Sequence, residues 1–209
     1  MRRFAEYFGV TEHTTVLDIG GYPAVWDLLE TKPQITILNL AFAPNHIDRG
    51  MKCVVGDGCR TSFPDRSFNV VFSNSVIEHV GDIGRQRQFA SECERCGEGY
   101  YVQTPNKWFP VDPHTLLICA HWLPKSMFNA LMKISPRFLI TRPSPAEMED
   151  LINMRLLSKR DLQELFPNAE IIEERFLGIT KSLIAVSRKQ RRSQDENPIS
   201  NEKTASTRL

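Results

Sequence analysis

The 209-residue sequence predicts an α/β fold in which a mainly parallel sheet carries helices on both faces. Short, almost wholly apolar segments alternate with segments of helical periodicity, which is typical of strands that are buried on both sides. Hydrophobic residues make up 41% of the chain and charged residues 24%. This composition supports a packed core and excludes a largely disordered protein.

Five strands are expected in the first half of the chain. Their apolar runs cover residues 14–19, 35–40, 52–55, 68–73 and 100–103. Helices are expected at 24–30 and 84–96, and Gly97 and Gly99 are expected to stop the second helix. That helix places Phe89 on one stripe with the C-x-x-C pair, Cys93 and Cys96. No second pair completes a zinc set, so we interpret both cysteines as core residues.

The second half of the sequence is less regular. Residues 107–150 are rich in proline and aromatic residues, with one expected helix at 124–134, and we interpret them as an insertion that caps the substrate side. A helix at 159–166 precedes two strands, 169–176 and 181–187. Because the link between these strands is too short for a parallel crossover, the last pair is expected to be antiparallel.

The two ends of the chain carry different signals. Glu6 interrupts the short apolar stretch that follows Met1, so no export signal is expected, and the five cysteines are interpreted as reduced thiols of a cytoplasmic protein. The folded domain is expected to cover residues 1–187. Residues 188–209 are polar and carry the basic excess, which predicts a disordered tail. A net charge of +1 gives no field that favours nucleic acid.

Small or polar residues follow four consecutive predicted strands. Ligands of an open parallel sheet bind beyond the carboxyl ends of its strands, and a glycine at such an end lets the backbone approach a ligand closely. The sequence therefore predicts one ligand site at this edge. Its candidate residues are Asp18, Gly20, Gly21, Asn39, Asp57, Gly58 and Asn74.

Three segments around these strand ends carry a recognisable pattern. Val16-Leu17-Asp18-Ile19-Gly20 forms the first, Asp57 with residues 63–71 the second, and residues 73–80 (SNSVIEHV) the third. They resemble the motifs of the class I S-adenosylmethionine-dependent methyltransferases, in the type 11-like branch that acts on small molecules and lipids. The resemblance covers residues 14–106. It implies a Rossmann-like three-layer sandwich with a seven-stranded sheet that ends in an antiparallel pair.

The resemblance also implies S-adenosylmethionine as the cofactor. Asp18 would lie near its amino-acid end, and Gly20 would pass close to it. Asn39 would face the ribose, Asp57 the adenine amino group, and Asn74 the reaction centre. Two further glycines complete the expected cofactor-binding set, Gly21 and Gly58.

Two positions depart from the family pattern. The glycine loop of the family continues as G-x-G-x-G, whereas Gly20 is followed here by Gly21-Tyr22-Pro23, and Asn39 stands where an acid usually grips the ribose. These departures leave a second interpretation open, a binding or scaffold protein that has lost catalysis. A nicotinamide-dependent oxidoreductase is disfavoured, because it needs a complete G-x-G-x-x-G and a ribose-binding acid.

The acceptor is expected to be a small or lipid-like molecule, and a hydroxyl acceptor needs a general base. Histidine titrates in the right range, which makes His79 the first candidate, with His114 and His121 behind it.

The aromatic residues of the insertion, Trp108 and Trp122 among them, allow three interpretations. They either roof the active site, complete the core, or form an interfacial patch beside Lys125, Lys133 and Arg137 that contacts lipid headgroups. Peripheral membrane contact thus remains an open alternative. No pattern in the sequence indicates an oligomeric state.

Overall fold

The structure, a computed structural model, describes residues 1–42, 49–111, 117–132 and 134–188. The strands of this part form one seven-stranded sheet in the order β3-β2-β1-β4-β5-β7-β6. Strands β1 to β5 are parallel, and β7 runs antiparallel between β5 and β6. The strands are β1 Thr15–Ile19, β2 Gln34–Asn39, β3 Lys52–Val55, β4 Phe68–Asn74, β5 Gly97–Pro105, β6 Glu170–Phe176 and β7 Ile179–Arg188. The predicted parallel sheet with its antiparallel end is confirmed.

Helices cover both faces of this sheet and form the insertion after β5. In chain order they are α1 Arg2–Phe8, α2 Pro23–Trp26, α3 Ile83–Cys96, the 3-10 turn Ala120–Trp122, α4 Lys125–Met132, α5 Pro136–Thr141, α6 Pro145–Asn153 and α7 Lys159–Leu165. The helices predicted at 84–96 and 159–166 are therefore present within one residue of their expected ends.

The two faces bury separate apolar clusters. On one face α3 and α7 pack on the sheet, and Phe89, Cys93 and Cys96 are each 0% exposed there, which confirms their interpretation as core residues. On the other face Phe4 of α1 contacts the rings of Trp26 and Phe72, with centroids 5.8 and 5.0 Å away. Each helical layer thus closes one side of the sheet, which gives the expected three-layer sandwich.

The helix predicted at 24–30 is wrong in length, since α2 is a single turn. Beyond it the backbone continues in tighter i to i+3 bonds, from Leu28 N–H to the Val25 carbonyl and from Leu29 N–H to the Trp26 carbonyl. Leu29 is buried, whereas Leu28 is 74% exposed. The two leucines therefore do not share the inward stripe that the periodicity suggested.

The predicted limits of β5 are also wrong, because Gly97 and Gly99 belong to the strand. A Cβ on Gly97 would lie 2.3 Å from the Gly99 carbonyl oxygen, and one on Gly99 would lie 2.7 Å from the Ser187 carbonyl oxygen. These glycines therefore serve close backbone packing at the start of β5.

The expected tail boundary at residue 188 is wrong by one residue. Arg188 is the last residue of β7, where it pairs with Gly99, and its guanidinium donates to the Phe8 carbonyl at 2.8 Å. The remainder of the predicted tail, residues 189–209, lies outside the described residues.

The insertion contains more helix than predicted. Residues 107–153, called the cap below, hold the 3-10 turn, α4, α5 and α6, and the turn, α4 and α6 share a small core of Ala120, Phe128, Met132 and Leu151. Ser135 and Ser144 start α5 and α6 by accepting hydrogen bonds from backbone N–H groups, and a proline follows each serine. These capping patterns are visible in the sequence, but the helices behind them are too short for periodicity to reveal.

Candidate functional site

A cleft of 840 Å³ lies beyond the carboxyl ends of the parallel strands. Parallel register aligns these ends, pairing Ile19 with Leu38 and Asn39 with Val55. The seven residues predicted to bind the cofactor all line this one cleft: Asp18, Gly20, Gly21, Asn39, Asp57, Gly58 and Asn74. Of the candidate bases, His79 also lines the cleft, whereas His114 lies outside the described residues.

The turn after β1 is packed so tightly that both of its glycines are required. Gly20 has a φ of +78°, and a Cβ there would lie 2.4 Å from Val76 Cγ2. A Cβ on Gly21 would lie 1.7 Å from Asp18 Oδ2. The loop therefore lies directly on the Asp18 carboxyl and on the segment after β4, even though Tyr22 and Ala24 stand where the family has its second and third glycines.

Asp18 is a buried carboxyl at the floor of this loop, with only 1% of its surface exposed. The indole N–H of Trp26 donates to Oδ2 at 2.7 Å, while Oδ1 has no hydrogen-bond partner among the described residues. Burial raises the pKa of Asp18 to about 7, and the Trp26 hydrogen bond only partly offsets this. The site thus holds a buried acceptor that a donor or cation of a ligand could satisfy.

Asn39 gives a structural reason for the missing acid at the end of β2. Its side-chain amide donates to the Gly21 carbonyl at 3.0 Å. An ionised carboxylate cannot donate this hydrogen bond. Asn39 therefore fixes the shortened glycine loop to β2.

Asp57 is held by two neighbours. Its Oδ1 accepts from the Cys59 N–H at 2.9 Å, and Arg85 Nη2 donates to Oδ1 and Oδ2 at 3.0 and 2.9 Å. Partial burial raises the pKa of Asp57, but the hydrogen bonds from Cys59 and Arg85 outweigh it and hold the pKa below its usual value. Arg85 lies on α3 and was not predicted as a site residue.

His79 pairs with an aspartate of the cap. Its Nδ1 lies 3.1 Å from Oδ2 of Asp150 on α6, and both residues line the cleft. An ionised carboxylate only accepts hydrogen bonds, so the proton belongs on Nδ1 and the lone pair on Nε2. Asp150 was not predicted, because it lies 71 residues away in sequence.

Hydrogen bonds hold the turn that carries His79 to three neighbouring segments. Glu78 is 0% exposed and accepts from the Thr104 hydroxyl at 3.0 Å. Gln86 of α3 donates to the Ile77 carbonyl at 3.0 Å, and Arg155 N–H donates to the Glu78 carbonyl at 2.8 Å. These bonds attach the turn to β5, to α3 and to the segment after α6, which fixes the position of the imidazole.

A smaller cavity of 230 Å³ lies beneath the cap, and its walls combine apolar side chains with Lys107, His121 and Arg155. His121 lines it, and the Nε2 of His121 lies 3.0 Å from the Lys107 carbonyl. A carbonyl only accepts, so Nε2 carries the hydrogen and Nδ1 carries the lone pair. This Nδ1 is buried and has no partner among the described residues. Leu151 lines the cavity directly after Asp150 of the cleft, so one helix borders both.

A third hollow, of 770 Å³, opens at the opposite edge of the sheet. It contains none of the predicted site residues. Its polar groups bond to one another, as Arg188 does to the Phe8 carbonyl and Asn69 to Thr15 and Glu98. The chemistry-bearing residues therefore gather at the carboxyl edge.

Comparisons with known proteins agree with this geometry. Residues 28–100 match the family model described as a methyltransferase domain. A structure titled as SAM-dependent methyltransferases, from Methanosarcina mazei, matches with a TM-score of 0.55 at 15% identity, over 88% of this chain and 95% of that one. The family match covers about a third of the chain, and the fold of the described residues is that of the class I methyltransferases. The cofactor of this class is S-adenosylmethionine.

Two further structures show how widely this fold is shared. The 1,6-didemethyltoxoflavin-N1-methyltransferase of Burkholderia thailandensis, with bound S-adenosylhomocysteine, has a TM-score of 0.55 at 12% identity, over 90% of this chain and 75% of that one. A putative Zn-dependent alcohol dehydrogenase of Rhodobacter sphaeroides has a TM-score of 0.59 at 13% identity, over 90% and 89%. At such identities the likeness concerns the fold alone. No curated protein sequence matches the chain.

The described residues offer neither a metal site built from clustered side chains nor a helix that could span a membrane. They contain no group of three His, Cys, Asp or Glu side chains that could hold a metal ion. Within the same ranges, no helix is long and apolar enough to span a bilayer.

Proposed function

We propose that this methyltransferase transfers a methyl group from S-adenosylmethionine to a small or lipid-like acceptor at the 840 Å³ cleft. The observation that carries the proposal is the convergence of all seven expected cofactor residues on that cleft, next to His79. The group fits the chemistry of the site, because Asp18 Oδ1 is a buried acceptor without a partner among the described residues and Gly20 and Gly21 line the cleft beside it.

The chain's own residues would hold the cofactor by its polar groups. Asp18 and Gly20 would contact the amino-acid end, Asn39 the ribose and Asp57 the adenine amino group, with Asn74 near the reaction centre. When bound, the sulfonium supplies a methyl group that is already activated for transfer. The protein therefore has mainly to align the acceptor and exclude water.

His79 is proposed as the general base for a hydroxyl or amine acceptor. Its Nε2 would take the proton that the acceptor loses on methylation, with S-adenosylhomocysteine as the leaving group. Asp150, bonded to Nδ1 at 3.1 Å, would orient the ring and stabilise the resulting imidazolium.

The 230 Å³ cavity is proposed as the pocket for the apolar part of the acceptor. Its walls include Phe128, Leu151, Ile152 and Leu156, which suit a hydrocarbon group. His121 Nδ1 would accept one hydrogen bond from a hydroxyl or N–H group of the same molecule, which would satisfy a buried lone pair.

A binding or scaffold protein without catalysis is the second candidate function. The observation that favours it is the bond from Arg85 to both oxygens of Asp57, since the adenine amino group must share this carboxylate or displace Arg85. The presence of Asn39 in place of an acid points the same way.

Calorimetry followed by methyl labelling separates these functions. S-adenosylhomocysteine is titrated first, and then the protein is incubated with methyl-labelled S-adenosylmethionine and a fractionated cell extract. Heat of binding together with a labelled small molecule supports the enzyme. Binding without any labelled product supports the scaffold, and no binding at millimolar cofactor overturns the enzyme.

A further inference from the structure

Large apolar side chains are unevenly distributed over the surface. Of the fourteen that are exposed among the described residues, seven lie on the cap and three at the tip of the β6-β7 hairpin. Ile140 of the cap is 78% exposed, and Leu177 at the hairpin tip is 88% exposed. Isolated exposed apolar residues are ordinary, whereas such a concentration marks an interaction surface. We call these ten residues the outer apolar surface.

The cap part and the hairpin part of the outer apolar surface meet at the end of β5. The side-chain amide of Asn106 donates to the Thr180 carbonyl of the hairpin at 2.8 Å. The backbone carbonyl of the next residue, Lys107, accepts a hydrogen bond from the indole N–H of Trp122 at 2.8 Å. The ring centroids of Trp108 and Trp122 lie 6.3 Å apart. The hairpin and the cap tryptophans therefore flank two consecutive residues at the carboxyl edge of the sheet, the edge that also carries the cofactor cleft.

Six of the seven cap residues of this surface lie in a stretch of the sequence whose charged residues are all basic. Between Asp112 and Glu147 the sequence carries four Lys or Arg residues and no Asp or Glu. The ammonium of Lys107 lies 5.4 Å from the centroid of the Trp108 ring. Exposed apolar and indole side chains in a basic stretch of sequence complement a bilayer interface, where indoles sit at headgroup level and basic residues meet anionic lipids.

We propose that the outer apolar surface docks on an anionic phospholipid bilayer. Docking would hold the cap and the carboxyl edge of the sheet against the membrane. A lipid-like acceptor could then enter the cavity beneath the cap without crossing water. The docking itself does not depend on methyl transfer, so the two proposals can fail separately.

Vesicle flotation tests the docking with the full chain. Binding is measured to phosphatidylcholine vesicles with and without phosphatidylglycerol, at low and high salt. The expected result is binding to the anionic vesicles that weakens with salt. The variant that combines Trp108→Ser, Ile140→Ser and Leu177→Ser removes exposed apolar groups, so its binding should fall by about tenfold or more.

A matched control uses equally exposed residues far from this surface. Leu28 and Val55 are 74% and 67% exposed, and the variant that combines Leu28→Ser with Val55→Ser should bind vesicles like the parent protein. Both variants should keep the parent affinity for S-adenosylhomocysteine, which shows that they are folded.

Three outcomes would overturn the docking while leaving the proposed function intact. The parent protein could bind S-adenosylhomocysteine but not the vesicles. The triple variant could float as well as the parent does, or the control variant could lose as much binding as the triple variant. A further contradicting result is self-association that the triple substitution abolishes, with no vesicle binding by the parent, because the surface would then join two copies of the chain.

Discussion

Replacing Asp18 with asparagine should flatten the pH dependence of stability near neutrality. The pKa of Asp18 is raised from 3.8 to about 7 in the folded protein, mainly by burial. Over that interval the folded state holds a proton that the unfolded chain has already released. The stabilisation that this bound proton gives the folded state is therefore fully present below pH 4 and is lost as the pH rises through 7.

The size of this effect follows from the two pKa values. A rise from 3.8 to about 7 corresponds to about 4 kcal/mol of unfolding free energy between the two pH limits. Asp18 is 1% exposed, so solvent screening reduces this figure little. The Asp18→Asn variant has no proton to lose at this position and can still accept the Trp26 indole N–H.

The same titration should couple to cofactor binding. S-adenosylmethionine carries an ammonium and a sulfonium, and a cation beside Asp18 would favour the ionised carboxylate and lower its pKa. Binding near pH 6.5 should therefore release a proton, and the affinity should rise from pH 6 to pH 8. The Asp18→Asn variant should bind more weakly and without this pH dependence.

Urea unfolding from pH 5 to pH 8.5 measures the pH dependence of the unfolding free energy. Calorimetry in buffers of different ionisation enthalpy measures the proton that is released on cofactor binding. Because other groups also titrate, the informative quantity is the difference between the profiles of parent and variant. If the two unfolding profiles ran parallel, Asp18 would titrate as an ordinary carboxyl and the reasoning from burial would be refuted.

Three further substitutions test the rest of the site. Asp57→Ala should weaken S-adenosylhomocysteine binding by about 1–3 kcal/mol in calorimetry, through loss of one hydrogen bond to the adenine; unchanged affinity would remove Asp57 from the site. His79→Gln should keep cofactor affinity and lower turnover by about a hundredfold or more in a labelled-methyl assay, whereas unaltered turnover would dismiss His79 as the base. His121→Phe should raise the KM for the acceptor and leave cofactor affinity unchanged, and an unchanged KM would exclude the proposed hydrogen bond.

The sequence predicted the central strands β1, β2, β4 and β5 because each contains a run of four buried residues, whereas the edge strands β3 and β6 are only partly buried. It also predicted their shared edge, since parallel strands align their carboxyl ends. Helix α1 was missed because its two buried residues, Phe4 and Phe8, provide no helical stripe longer than one turn. Their burial depends on Trp26 and Phe72, which are distant in sequence.

The two site residues that the sequence did not reveal, Arg85 and Asp150, were missed for the same reason. Arg85 reaches Asp57 across 28 residues, and Asp150 reaches His79 across 71. Nothing local marks either residue, because each becomes relevant only when α3 or the cap packs beside the cleft. Periodicity and strand-end patterns predict the residues at the rim of the cleft. The residues that bond to them and shift or orient them come from distant parts of the sequence and are recognised only in the folded structure.

A crystal structure with S-adenosylhomocysteine would test the central claim most directly. The adenine amino group should lie within hydrogen-bond distance of Asp57, the ribose beside Asn39, and the amino-acid end beside the Asp18 loop. A nucleoside in the 770 Å³ hollow at the opposite edge, with the 840 Å³ cleft empty, would contradict the account.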